Sequence, residues 1–343
     1  MTSSTNEPLD QVLGNYPIKV LEIRNESYKG KKGVWWVKTT EGMRILKKIS
    51  NSEETFKFIL HAVNHLQNNG IHLPKVYQAR NGCDYTNING ICYVLTEAIE
   101  GRNPSYSSPR ELSSLVCELA KFHKASEGFS IPADSKPKYH LGLWVEDYRA
   151  QLEDINTYYK NELIQKEPDA TGKTIINEFP YFFKRANMAI EGLTGQEYAD
   201  WVAKALRTGC LCHQDFAAGN LIMNTSGSIY VIDTDSITVD IAARDIRKLL
   251  NKIMKKAGRW DTEQTRSILN SYQSKNPLTP SQWQVVKLDL MFPHLFLGAV
   301  NKYIYKRDKE WSAEKYHQRI LEMVAFEKTL PPVLEHFEDI VPK

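Results

Sequence analysis

The sequence predicts an α+β protein in which a small antiparallel sheet precedes a larger helical body. Three observations carry that expectation. Residues 18–49 contain three successive apolar runs with the period-two alternation of strands. From residue 112 onward the apolar residues recur at helical spacing instead. The stretch Leu211–Asp235 interrupts the helical part with two short apolar runs around a polar turn.

In the first part, Ile18, Val20, Leu21 and Ile23 form one run, Val34–Val37 a second, and Met43, Ile45, Leu46 and Ile49 a third. The linker Asn25–Gly33 is polar and holds Gly30 and Gly33. It suits a plain hairpin turn equally with a loop whose backbone N–H groups approach a phosphate. The glycine pattern G-x-G-x-x-G is missing from it. Ser52 is suited to cap a helix with the apolar stripe Phe56, Ile59, Leu60, Val63 and Leu66, which Gly70 ends. Val76–Ala79 and Ile91–Thr96 are expected as further strands, with turns at Asn81-Gly82 and Asn89-Gly90. In the second part, Leu112–His123 has the period of a buried helix face. Residues 143–206 read as several helices rich in aromatics, and Ile241–Lys256, 281–305 and 312–328 as further helices. No repeat or low-complexity tract occurs.

Composition narrows the class. The chain has 343 residues, of which 42% are hydrophobic and 25% charged, as in a globular protein of two domains or lobes. No apolar run approaches the ~20 residues that span a bilayer. The opening MTSSTNEPLDQ is polar and lacks an apolar stretch, so no signal peptide is expected, and synthesis in a reducing cytoplasm is. The five cysteines are expected as free thiols; Cys210 and Cys212 lie too close for an easy disulfide and lack the further ligands of a zinc pattern. A net charge of +3 is too weak to imply nucleic acid. Two basic clusters stand out, Lys29-Lys31-Lys32 and Arg244, Arg247, Lys248, Lys252, Lys255 and Lys256. The second is expected as a solvated helix face with some salt bridges.

The chemistry concentrates in Leu211–Asp235. In a protein-kinase catalytic loop an Asp follows the His by two positions, and an Asn follows that Asp by five. His213, Asp215 and Asn220 keep both spacings. A carboxylate at Asp215 can orient an acceptor hydroxyl and take its proton. The side-chain oxygen of Asn220 and the carboxylate of Asp233 are hard ligands suited to magnesium. The runs Leu221–Met223 and Ile229–Ile232, joined by Asn224–Gly227, read as a hairpin that returns Asn220 and Asp233 to one end. His213 is expected to tie the loop down.

HQDFAAGN followed by YVIDTD resembles the aminoglycoside-phosphotransferase and choline-kinase branch of the protein-kinase-like fold. That branch has an H-x-D-x-x-x-x-N loop and an I-D-x-[DE] segment in place of D-F-G. Within it, the chain is similar to the CotS type of bacterial spore-coat protein over residues 15–325. The resemblance implies a bilobal fold with an N-lobe at 1–100, a helical C-lobe at 101–343, and a hinge at Leu95–Gly101 whose backbone meets adenine. It implies ATP and Mg2+ as cofactors, with Glu97, Ile99, Leu221 and Ile232 around the nucleotide. Lys47, directly after an apolar residue, would orient the α- and β-phosphates, with Lys48 on the opposite face. The family's helix glutamate aligns with Ile59, so Glu53 or Glu54 would have to substitute. His123 and Asp245 would be structural, Asp245 bracing the catalytic loop.

For the acceptor, the resemblance points to the helical lobe below Asp215, with Asp235, Trp144, Tyr148, Phe292, His294 and Trp311 as candidates. Asp235, two residues past Asp233 on a strand, could bind a second magnesium or a hydroxyl. An aromatic box would suit a cationic acceptor, although aromatic stripes are more often core. The implied activity is phosphotransfer to a hydroxyl of a small molecule, in the setting of the spore coat and its other proteins, away from nucleic acid and membrane. Its rivals are a non-catalytic coat component and an antibiotic-modifying enzyme. The latter would need an acidic pocket, whereas the helices after Asp235 are basic.

Overall fold

The computed structural model describes residues 7–26 and 33–342. Helix α1 (Leu9–Gly14) precedes strands β1 (Val20–Asn25), β2 (Val34–Thr39) and β3 (Gly42–Lys48). Helix α2 (Glu53–Asn68), β4 (Val76–Tyr77), β5 (Thr86–Ile88) and β6 (Ile91–Glu97) complete the N-lobe. The strands form one antiparallel sheet in the order β1-β2-β3-β6-β4, with β5 also on β6. Strand alternation gives that sheet two different faces. Trp35, Val37, Leu46, Tyr93 and Leu95 pack with Val12, Leu13 and Tyr16 from the α1 segment. The intervening Val34, Trp36, Ile45, Lys47, Val94 and Thr96 face the other way, into a cleft. Register fixes Lys47 opposite Val34 and Val94. Lys48 reaches Glu7 on the far side, with Nζ 2.6 Å from the carboxylate.

Ser52 caps α2, its hydroxyl accepting the Thr55 N–H, and Glu53 and Glu54 favour the positive end of the helix dipole. The stripe Phe56, Ile59, Leu60, Val63 and Leu66 is buried as its spacing requires. The short α1 and β5 were beyond the reach of periodicity.

The C-lobe runs through α3 (Pro109–Ala125), α4 (Trp144–Leu163), α5 (Ala170–Leu193) and α6 (Gln196–Thr208). Strand β7 (Leu211–Cys212), the hairpin β8 (Leu221–Met223) and β9 (Ile229–Val231), and β10 (Thr238–Val239) follow. Helices α7 (Ala243–Ala257), α8 (Thr262–Gln273), α9 (Pro280–Met291), α10 (His294–Ile304) and α11 (Ala313–Glu327) then build the body, closed by α12 (Pro331–Glu335) and α13 (Phe337–Ile340). The single helix expected over 281–305 is two, because Pro293 cannot donate to the ladder and the chain restarts after it. Asp235 lies on a 3-10 turn, Thr234–Ser236, and not on a strand.

The lobes meet at a close crossing. Arg102 and Met223 exchange backbone hydrogen bonds of 3.1 and 2.8 Å, and the Asn103 amide donates to the Leu221 carbonyl at 2.7 Å. Gly101 makes this approach possible. Its φ is +155°, and a Cβ there would stand 2.4 Å from the Met223 carbonyl oxygen.

Candidate functional site

A cavity of about 340 Å³ opens between the inner face of the sheet, α2 and the β8–β9 hairpin. Its walls are largely aliphatic, from Val34, Ile45, Val94, Ile222 and Val231. Lys47, Asn220, Asp233 and Asp235 stand at one end, and Glu97 and Ile99 line it at the hinge. Ile232 also lines it, but Leu221 does not. Leu221 is completely buried on the core side, and its neighbour Ile222 faces the cleft, since adjacent strand residues point to opposite faces. The segment 27–32, with the expected phosphate loop and Lys29, Lys31 and Lys32, lies outside the described residues.

Lys47 bridges two carboxylates, with Nζ 2.7 Å from Asp233 and 2.8 Å from Asp235. Burial alone would depress its ammonium, but Asp235 and Asp233 outweigh that and hold its pKa above the ordinary value. The expected helix glutamate is not a partner. Glu53 accepts from the Tyr85 hydroxyl and the Asn87 amide, at 2.5 and 2.6 Å, and Glu54 is exposed. Ile59 is buried apolar lining. Asp235 takes the second place on the lysine because the 3-10 turn swings its carboxylate back. Asn51 and Lys138 hold the Asp235 carbonyl at 3.3 and 2.7 Å. Asp233 itself adopts a left-handed conformation, φ 58° and ψ 56°, uncommon for a residue with a Cβ and found where surroundings impose it.

Asn220 joins the two halves of the site. Its NH2 group donates to both the backbone oxygen and the Oδ2 of Asp215, each at 2.8 Å. That leaves its Oδ1 as the acceptor it can offer a cation. Its carbonyl accepts the Ile232 N–H at 2.9 Å, one step beyond the β8–β9 ladder, and so sets Asn220 beside Asp233.

The loop that carries His213, Asp215 and Asn220 is braced from below. Both oxygens of the buried Asp245 accept backbone N–H groups, from His213 at 2.6 Å and Gln214 at 2.8 Å. Gln214 has φ 71°, a conformation this grip helps to hold. His123 contacts the same carboxylate at 3.2 Å and the Tyr272 hydroxyl at 2.8 Å. His123, Cys212 and Asp245 are close enough to hold a metal, but these bonds and the Cys212 thiol's contacts to the Asp240 and Ile241 carbonyls already use the ligand atoms. His213 is fully buried, and desolvation keeps its imidazole pKa below the ordinary value. Its partners fix one neutral tautomer. Nδ1 accepts the Asp215 N–H, and Nε2 donates to the Ile232 carbonyl, both at 3.3 Å.

Several expectations fail here. The basic face of α7 is not simply solvated. Arg247 is buried against Asp289, Arg244 pairs with the buried Asp240, and Lys248 donates to the backbone and side chain of Gln214. Lys252 forms an ion pair with Asp215, the expected base. Burial would raise the Asp215 carboxyl, but Lys252 and the Asn220 amide hold it below the usual carboxylate range. Lys252 was legible in principle: Asp245, Lys248 and Lys252 follow at i, i+3 and i+7, one face of a helix. The expected aromatic box is mostly core. Trp144, Tyr148 and Phe292 are buried, and the Tyr148 hydroxyl and His294 bond Asp289 at 2.6 and 2.7 Å. Such groups satisfy one another and have no open face for a ligand. Sequence reasoning also missed Tyr106, whose hydroxyl accepts the Ala218 N–H of the loop at 2.9 Å.

Comparison with known proteins bears on the family and the fold. A family model described as "Spore coat putative kinase YutH" matches residues 16–337. Spore coat protein S of Bacillus subtilis (strain 168) is 30% identical over 98% of this chain and 95% of its own length. Among solved structures, an aminoglycoside phosphotransferase from Alicyclobacillus acidocaldarius superposes with a TM-score of 0.76 at 17% identity, covering 95% of this chain and 96% of that one. Amicoumacin kinase hAmiN, in complex with AMP-PNP, Ca2+ and Ami, superposes with a TM-score of 0.65 at 16% identity, covering 97% and 94%. These likenesses show the bilobal kinase-like fold.

Proposed function

The chain belongs to the spore coat putative kinase YutH family, and on that premise we propose that it transfers the γ-phosphate of Mg-ATP to a hydroxyl of a small molecule in the spore coat. The observation that supports this most is the convergence of Lys47, Asn220 and Asp233 at one end of an apolar cleft, with Lys47 bonded to Asp233 and Asn220 tying Asp215 to that end. The cleft is apolar where a purine needs apolar walls and charged where phosphates need neutralising. Residues 1–100 would cover the nucleotide, with Glu97 and Ile99 at the adenine edge, and residues 101–343 would carry the acceptor.

The donor set suits magnesium. The Asn220 Oδ1 and the Asp233 carboxylate are hard oxygens held at adjacent hairpin ends. When bound there, the ion would supply charge neutralisation at the β- and γ-phosphates. Lys47 would orient the α- and β-phosphates. Asp215 would align the acceptor hydroxyl and receive its proton, while the neutral His213 and the Asp245 brace hold the loop. That the solved kinase hAmiN carries AMP-PNP and Ca2+ fits this reading.

Water serves as a default acceptor, so the proposal can be tested before the acceptor is known. ADP release from Mg-ATP is expected to fall roughly a hundredfold or more in Asp215→Ala, with ATP affinity nearly unchanged. Equal ADP release by the two proteins would remove Asp215 from the reaction. A second reading, a coat component that binds nucleotide without turning it over, draws on the Lys252–Asp215 ion pair and the missing helix glutamate. It predicts ATP binding with no ADP release under any condition.

A further inference from the structure

The surroundings of Asp215 carry an excess of positive charge. Lys252 reaches the base from α7, and Lys255 and Lys256 follow it at i+3 and i+4, on the same helix face. The Lys256 ammonium stands 5.4 Å from the ring centre of Tyr106, the residue that holds the catalytic loop through Ala218. Lys255 feels both Lys252 and Arg319 of α11, which add to desolvation in depressing its ammonium. From Arg319 a groove of about 460 Å³ runs along α10 and α11, lined by Lys302, Trp311, Lys315, Gln318, Arg319 and Glu322. The ammonium groups of Lys302 and Lys315 stand 5.2 and 4.7 Å from the Trp311 ring centre. Glu322 is the one carboxylate in the lining and is paired with Arg319 at 3.2 Å. Among the described residues, Lys255 and Lys315 have no salt-bridge partner.

Like charges gathered on one face repel, and an anion is what relieves them. We infer that the acceptor is itself anionic, carrying a phosphate or a carboxylate that binds across Lys252, Lys255 and Lys256 while its hydroxyl meets Asp215. This rests on the phosphotransfer reading and adds the acceptor's chemical class. It runs against a cationic acceptor, for which the expected aromatic box has proved to be core. Lys252 then has two partners in turn. Without acceptor it neutralises Asp215, and the acceptor's anion takes its place and frees Oδ1 for the hydroxyl. In the transfer the acceptor oxygen bonds to the γ-phosphorus, and the bond from that phosphorus to the β–γ bridging oxygen breaks. ADP leaves with that electron pair, and the hydroxyl proton passes to Asp215 and then to solvent.

The test titrates glycerol, glycerol 3-phosphate, glycerate and 3-amino-1,2-propanediol into protein saturated with AMP-PNP and magnesium, so that the γ-phosphate site is already filled. Wild type is expected to bind glycerol 3-phosphate or glycerate measurably, and the neutral and cationic members at least roughly tenfold more weakly. Lys255→Glu and Lys256→Glu should each weaken the anion roughly tenfold while AMP-PNP affinity stays constant. Lys255→Gln, a milder change, should give a smaller loss in the same direction, and thermal melting checks that each variant folds. Whichever anion binds names the headgroup. Preference for the amine, absence of binding by both anions, or anion binding indifferent to charge reversal would overturn the inference. AMP-PNP binding is read separately, so its failure would count against the nucleotide site and not against the acceptor class.

Discussion

At Lys47 and Lys48 a single step along a strand separates the cleft from the opposite face of the sheet. Lys47→Met should therefore weaken Mg-ATP binding by roughly ten- to a hundredfold, the worth of a charge-assisted contact. Lys48→Met should leave it nearly unchanged in the same titration. His294 carries a prediction about pH. Burial, with Arg247 nearby, pushes its imidazole down to about 4, whereas an unfolded histidine titrates at about 6.5. Between those values the unfolded chain takes up a proton that the folded chain refuses, so this group makes stability fall as pH drops from about 6.5 to about 4. The melting temperature of wild type should thus drop further than that of His294→Asn over that range. Parallel curves for the two proteins would contradict it. That His213, Asp215, Asn220 and Asp233 come together was legible, because a short loop and a hairpin at those spacings return to one end. Lys252, Ile222 and Tyr106 were not, since which residue reaches the loop depends on how α7, the hairpin and the hinge pack.

Among the elements, the hairpin β8–β9 and the helix α7 do most to build the site, and they were legible to different degrees. The hairpin's alternation and turn residues forecast both strands, and only its register against the cleft, Ile222 inward and Leu221 buried, had to come from packing. Helix α7 was placed by its period but given the wrong environment. Six basic residues suggest solvent, yet Arg244 pairs with the buried Asp240 just before the helix and Arg247 with the buried Asp289 of α9. Charge compensation from a distant segment, as for Arg247, leaves no local signal. Asp245 at the start of α7 makes the helix a brace. Asp245→Ala would strip the acceptor from the N–H groups of His213 and Gln214 and from His123, all buried or nearly so. A loss of roughly 3 kcal/mol or more is expected in denaturant unfolding, with lower ADP release in the fraction that folds. A destabilisation under about 1 kcal/mol would show that the grip is not what holds the loop. At the hinge, Gly101→Ala combines an unfavourable φ with a clash on the Met223 carbonyl. It should lower the melting temperature and Mg-ATP affinity together.

On the scale of the whole molecule, the division into a sheet-bearing lobe and a helical lobe was legible from periodicity alone, because period two and period 3.6 leave different apolar patterns. The cleft between them was legible only through the family resemblance, since no local pattern says which sheet face stays open. The structure departs from the expected lysine clamp in one respect that bears on function. Lys47 is held by Asp233 and Asp235, both from the C-lobe, and not by a glutamate of α2. The contact across the cleft is thus a direct bridge between lobes, and nucleotide phosphates with magnesium would have to draw Lys47 and Asp233 into a shared arrangement. No helix among the described residues is long and apolar enough to cross a membrane. Calorimetry of ATP binding with and without magnesium, on wild type and on Asp233→Ala, probes the Asn220–Asp233 metal site most directly. Wild type is expected to bind ATP more tightly with magnesium, and Asp233→Ala is expected to lose that magnesium dependence. Absence of ATP binding by folded wild type, or an undiminished magnesium effect in Asp233→Ala, would rule out a working metal–nucleotide site.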